Sequence, residues 1–364
     1  MSKVASLEQL KTLPKIELHA HLSGSVRYST ILRLLNEELA SDYHETSDEK
    51  LKSEIQLMEE LKSKPTTNCT SHRSLTECFQ IFTILHRLLS NLNILEQVTN
   101  EILHDFQSDN CVYLELRTTP RNIFDSKTGE LKVSKEQYLK TVVNVIESFE
   151  KENLMKVRLI LSVDRAKGLQ DGLENVELAK KFKSKHVIGI DFSGNPHVDS
   201  FQNYESLFQL CDSYELKTTV HIAEIWEDKD VDFILKKIRP DRIGHSVCLT
   251  KEQIDYLIRN PIPIEICPTS NLVTKCVDVI ENHPFYEFYT KKDTYPLVIC
   301  TDDFGIFDTS LSREYSLIST AFNLSFKEMF DLSRRSIKCI FDQSNELVSF
   351  LEMVFNEFEK KNFE

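Results

Sequence analysis

Glycine and proline are scarce, at 8 and 10 of 364 residues. Neither clusters into a flexible stretch, so nothing marks a linker between two independent domains. No run approaches the roughly 18 apolar residues that a membrane span needs. Met1–Leu10 lacks the apolar stretch of a signal peptide, so none is expected. The nine cysteines, an odd number without paired spacing, read as free thiols and predict a reducing, cytosolic setting. Positive charge is in deficit, with 44 basic against 57 acidic residues and a formal net charge of −13. That balance argues against nucleic acid or an anionic membrane as partner. It leaves room for a small phosphorylated ligand, because one local arginine can hold a phosphate. Also missing are the Gly-x-Gly-x-x-Gly turn, the Walker loop, His-Glu-x-x-His, Gly-x-Ser-x-Gly, and His-x-Glu with Pro-Cys-x-x-Cys.

What recurs is a short apolar or alternating run that ends in polar residues and is followed by a helical pattern. The runs are Ile16–Leu18, Val112–Leu116, Val157–Val163, Val187–Ile190, Thr218–Ile222, Arg242–Ile243, Ile262–Ile266 and Pro296–Cys300. Between them, apolar residues fall at helical spacing, as in Leu75, Phe79, Phe82, Leu85 and Leu89. Eight strands alternating with helices predict a (β/α)8 TIM barrel, α/β in class, spanning 1–364 as one domain. An open doubly wound sheet is the competitor; the missing glycine-rich turn after the first strand counts against it. The span between the first two strands is far longer than one crossover helix requires. Its charged part, Ser41 to Ser74, predicts a helical insertion, either a solvated decoration or a lid over the barrel mouth.

Seven of the eight runs finish in residues that the hydrophobic pattern would not supply, among them His, Asp, Glu and Arg. Barrel enzymes place catalytic groups at the C-terminal ends of several strands. His19 and His21 alternate with Leu18, Ala20 and Leu22, so both imidazoles share one face of the first strand and can converge on a metal. With His221 and Asp302 on later strands they form a three-His, one-Asp donor set. That set suits zinc, with iron or cobalt possible. Glu224, just past His221, is placed to carry a proton to a substrate atom. His245, after what reads as the turn residue Gly244, is a candidate for chemistry on a metal-bound water. Asp302 and Asp303 are adjacent carboxylates that repel each other. Metal ligation by one and substrate contact by the other would resolve the conflict.

In this order the motifs resemble the adenosine deaminase family of metal-dependent amidohydrolases. The carrying stretches are Leu13–Leu22, Gly189-Ile190-Asp191, His221-x-x-Glu224, Arg242–His245, Thr269-Ser270-Asn271 and Thr301-Asp302-Asp303. The resemblance implies one zinc per chain, held by His19, His21, His221 and Asp302. It implies Glu224 as proton donor to the purine ring and His245 as the residue that orients or deprotonates the attacking water. Asp303 would contact the purine's imidazole nitrogen, and the Gly194 amide its other edge. Leu116–Arg121, Val163–Arg165, Cys300–Phe307 and Leu311-Ser312-x-Glu314-Tyr315 are similar to the adenosine deaminase-like branch, whose members deaminate N6-methyl-AMP. That branch implies contacts to ribose and phosphate from Thr118, Thr119, Pro120, Arg121 and Asp164, with a further one from His86. His21 and Ser23 complete the implied substrate contacts. Arg121 is the main phosphate candidate, since guanidinium pairs with phosphate through two parallel hydrogen bonds.

Three departures stand out: Ser23 where that branch usually has Asn, Ser246 where the wider family often has Gly, and an insertion around Ser41–Ser74 that is longer and more charged than usual. The expected reaction is hydrolysis of N6-methyl-AMP to IMP and methylamine by a cytosolic, monomeric enzyme. The alternatives are deamination of free adenosine and a non-catalytic nucleotide-binding or signalling protein.

Overall fold

The computed structural model describes residues 4–41, 46–63, 75–125, 127–183, 186–291 and 295–364. Eight parallel strands lie in sequence order: β1 (Lys15–His21), β2 (Cys111–Thr118), β3 (Lys156–Asp164), β4 (Val187–Ser193), β5 (Lys217–Ile222), β6 (Arg242–His245), β7 (Ile264–Ile266) and β8 (Leu297–Ile299). The chain returns to β1 just past β8, through a parallel bridge between Ala20 and Asp302. There the Asp302 amide donates to the His19 carbonyl at 2.7 Å and the His21 amide to the Asp302 carbonyl at 3.0 Å. The barrel is therefore closed by residues that also carry candidate site side chains. A two-stranded hairpin, Ile123–Phe124 with Leu131–Val133, follows β2.

Helices form the outer layer, and their starts follow from the sequence. Ser134, Thr250 and Ser325 each cap a helix reciprocally with Gln137, Gln253 and Glu328 three residues on, satisfying amides that lack an intrahelical partner. The helix Lys135–Glu152 buries Tyr138, Leu139, Val142, Ile146 and Phe149, a stripe at helical spacing turned toward the barrel wall. In the charged insertion, Asp48–Ser63 is a helix whose Leu51, Met58 and Leu61 are buried. It packs on the helix Tyr28–Leu39, and Arg87 pairs with Glu38 and Glu54 to tie the two together. The rest of the predicted insertion, 42–45 and 64–74, lies outside the described residues.

The barrel interior carries charge where branched apolar residues usually fill the layers. Glu17, Glu115, Arg117, Asp191, Arg242 and Glu265 are all completely buried. Arg242 donates to Glu265 at 2.6 Å and to Glu115, while Arg117 bonds Glu265 and, at 3.0 Å, Asp191. Phe341 lies 3.4 Å under the Arg242 guanidinium, and its amide donates to Glu115 at 2.7 Å. Buried charges persist only when paired and hydrogen-bonded in this way. The network forms a rigid floor beneath the residues at the mouth.

Candidate active site

The mouth holds a group of four donors. His19 Nε2 lies 3.1 Å from His221 Nε2, and His21 Nε2 lies 3.3 Å from the same atom. Asp302 Oδ1 stands 3.5 Å from both His19 and His21 Nε2. The outer nitrogens of His19 and His221 each face a carboxylate. His19 Nδ1 is 2.8 Å from Glu265, and His221 Nδ1 is 3.0 Å from Asp191. Burial alone would raise both carboxyl pKa values. Instead Arg117 and Arg242 hold Glu265, and His221 and Arg117 hold Asp191, well below the usual carboxylate range. An ionised carboxylate accepts hydrogen bonds, so a neutral His19 keeps its hydrogen on Nδ1 and turns a lone pair inward through Nε2, and the Asp191 charge beside His221 Nδ1 favours the same tautomer there. Facing lone pairs repel unless a cation lies between them. A metal with ligand bonds of about 2.0–2.1 Å sets tetrahedral ligand atoms about 3.3 Å apart, which matches the observed spacing. These residues therefore fit a metal ion.

Around this group stand His245, Glu224 and Asp303. His245 ends β6, and its Nε2 is 3.6 Å from Glu224 Oε1, with no hydrogen-bond partner of its own. Its other nitrogen meets the Asn271 side chain at 3.1 Å. Glu224 follows β5 by two residues and is partly exposed. Asp303 is buried, and one of its oxygens has no partner. Burial, and then the neighbouring Asp302 charge, push its pKa well above the usual carboxylate value. Backbone strain gathers at the same strand ends. Ala223, His245, Ser246 and Asp302 all have positive φ, between 52° and 63°, at a cost of order 1–3 kcal/mol each.

The remaining predicted contacts lie farther out. Ser23 is half-buried in the turn after β1. Asp164 and Gly194 adjoin: a Cβ on Gly194, whose φ is 103°, would come within 2.3 Å of Asp164 Oδ1. Asp164 also caps the turn Arg165–Lys167 through the Ala166 amide at 2.9 Å. Arg121 is partly exposed and donates to the His86 carbonyl at 3.4 Å, which joins two elements distant in sequence. Thr119 is partly buried and Pro120 buried beside it. Thr118 departs from this arrangement. Arg117 points into the barrel, so alternation turns Thr118 outward, where its hydroxyl meets Tyr138 of the helix layer at 3.0 Å.

Several residues that shape the site carry no motif. Glu265 sits in mid-strand and was not singled out. Asp191 belongs to a quoted motif, but its part in aligning His221 is visible only in three dimensions. Gly244 lies inside β6, not in a turn. A Cβ there would sit 2.8 Å from His19 Cε1, so glycine makes room for the His19 imidazole. Gly24 does the same for Asp303, whose Oδ1 would overlap a Cβ at 1.6 Å. Glycine at a position of close approach was the available signal for both.

Comparison with known proteins identifies the family. The adenosine deaminase family model matches residues 14–356. The N6-mAMP deaminase of Arabidopsis thaliana is 33% identical over 96% of this chain and 98% of that protein. The human N6-methyl-AMP deaminase is 34% identical over 90% of this chain and 89% of its own length. The crystal structure of Arabidopsis ADAL complexed with IMP superposes with a TM-score of 0.84 at 34% identity, covering 97% of this chain and 99% of that one. No helix among the described residues is long and apolar enough to cross a membrane. With its eight-stranded barrel and its inward-facing histidines, the chain belongs to the adenosine deaminase family of metal-dependent aminohydrolases.

Proposed function

We propose that this protein hydrolyses the C6–nitrogen bond of N6-methyl-AMP, consuming one water and releasing IMP and methylamine, with zinc as its metal. The observation that carries the reading is the convergence of three imidazoles and Asp302 on one point, flanked by Glu224 and His245 only 3.6 Å apart. A relative crystallised with IMP supports the product, and relatives named for N6-methyl-AMP support the substrate.

A zinc ion held by His19, His21, His221 and Asp302 would lower the pKa of a coordinated water from 15.7 to about 7, making a nucleophile available at neutral pH. The other steps belong to the chain. Glu224 gives a proton to ring nitrogen 1, so that the ring accepts electrons as water attacks carbon 6. His245 and Asp302 hold that water or take its proton. Asp303 donates to the imidazole nitrogen of the purine, and the Gly194 amide meets the other edge. Arg121 takes the phosphate, with His86, Thr119, Pro120 and Asp164 around the ribose and phosphate and Ser23 beside His21. The outward hydroxyl of Thr118 supports a place in the wall for it. The described cysteines, all free thiols, support a cytosolic setting.

The test is the reaction itself. Zinc-loaded protein should convert N6-methyl-AMP to IMP and methylamine in equal amounts, stop when a chelator strips the metal, and resume when zinc is returned. Absence of turnover in fully loaded protein would overturn the reading.

A further inference from the structure

We infer that Asn271 and His283 fix the tautomer of His245, so that His245 serves the reaction as a hydrogen-bond donor to the attacking oxygen and not as the base that removes its proton. This deepens the proposed function and rests on it for the identity of the oxygen.

One group beside His245 and Asn271 has no choice of role. The backbone amide of Phe285 donates to His283 Nδ1 at 3.0 Å. That nitrogen therefore carries a lone pair, and the neutral ring keeps its hydrogen on Nε2. His283 Nε2 lies 3.1 Å from the Asn271 side chain, where an N–H must meet the amide oxygen. The amide NH2 is then turned the other way, toward His245 Nδ1 at 3.1 Å. Receiving a hydrogen bond there, His245 holds its own hydrogen on Nε2. Because each link follows from a backbone donor, the direction does not depend on how the amide was oriented. All three residues are buried, at 3% exposure or less.

His245 Nε2 is the end of this relay, and among the described residues it has no hydrogen-bond partner. A buried N–H without an acceptor is costly. It points to where substrate chemistry takes place, beside Glu224 and the four-donor group. For His245 to act as a base through Nε2, its hydrogen would have to sit on Nδ1. Asn271 would then flip and present its NH2 to the N–H of His283. His283 cannot yield, because the Phe285 amide occupies its other nitrogen. The proton leaving water then passes to the Asp302 carboxylate, while the His245 N–H stabilises charge growing on the attacking oxygen. Asn271 and His283 are positioning residues in this scheme.

Two-bond proton–nitrogen NMR on histidine-labelled, zinc-loaded protein reads the tautomer directly, with His245 assigned by comparison with His245→Ala. The expected spectrum at neutral pH shows His245 protonated on Nε2 and unprotonated on Nδ1. In Asn271→Asp, which exchanges the donor for an acceptor, Nδ1 should become protonated. The kcat should then fall about 10²-fold, the scale of losing one donor to a developing oxyanion, with KM changed less than threefold. His283→Gln keeps an N–H toward Asn271 and should retain both tautomer and rate, whereas His283→Leu should lose both. A protonated Nδ1 in the unaltered protein overturns the inference, as does full kcat in Asn271→Asp. The spectrum needs no substrate, so a protein that fails to deaminate purines would sink the proposed function while the tautomer is still decided.

Discussion

The inner and outer ends of the site are built differently. Around His19, His221 and Asp302 the side chains are buried, and each histidine leans on a second residue, Glu265 or Asp191. At the rim, Arg121 and His86 are partly or fully exposed, and the contact between them is one 3.4 Å hydrogen bond to a carbonyl. The inner end is preorganised: its charges are paired through Arg117 and Arg242. At the rim, the one hydrogen bond that Arg121 makes among the described residues is that to the His86 carbonyl. In the proposed function, chemistry falls to the buried end and the choice between nucleotide and nucleoside to the looser one. Substitutions at the two ends should fail in different ways.

The largest effect is expected from His19→Ala, which removes a ligand and breaks the Glu265 contact. Elemental analysis should find most of the zinc lost and activity abolished; full zinc occupancy would remove His19 from the ligand set. Glu224→Gln should keep its zinc while kcat drops at least 10²-fold, the scale of a general acid, and near-full turnover would end that assignment. Asp191→Asn tests the backing of the inner end. Chelator competition should show zinc affinity about 10–100-fold weaker, and unchanged affinity would mean that His221 needs no such support. Arg121→Ala tests the rim: KM for the nucleotide should rise about tenfold, as expected for losing a charged hydrogen bond. Turnover of the nucleoside should stay level. Equal losses on both would blur the division between the two ends.

The smallest effect concerns Glu314, which sits behind the mouth and accepts from the Thr269 amide at 2.9 Å. Burial pushes its pKa up to about 7. The folded state then binds the proton more tightly than the unfolded chain. The stability it contributes is present below the ordinary carboxylate pKa and is lost as pH rises from about 4.5 to about 7. Glu314→Gln should flatten this part of the stability profile in urea unfolding. An unchanged slope would show that Glu314 titrates normally.

Much of the inner end could be read from sequence, because strand alternation turns His19 and His21 to one face and polar strand ends interrupt apolar runs. The eight strands were visible for the same reason, and the barrel's closure through Asp302 was not. Glu265 escaped notice since, between Ile264 and Ile266, it looks like one polar residue in a short strand. Asn271 and His283 lie far from His245 in sequence, and only the fold brings them into line. Thr118 was assigned to the rim by motif, although the parity that turns Arg117 inward turns Thr118 toward Tyr138. Gly244 reads as a turn residue on composition alone; its real role is the space it leaves for His19. Side-chain parity is legible in sequence, and contact between distant strands is not.

The most direct test of the account sets N6-methyl-AMP, AMP and adenosine side by side with the zinc-loaded protein and compares kcat/KM. The account predicts efficient turnover of N6-methyl-AMP, with adenosine poorer by at least the factor that Arg121→Ala removes. Adenosine turned over as well as N6-methyl-AMP, or no turnover of any of the three, would contradict it.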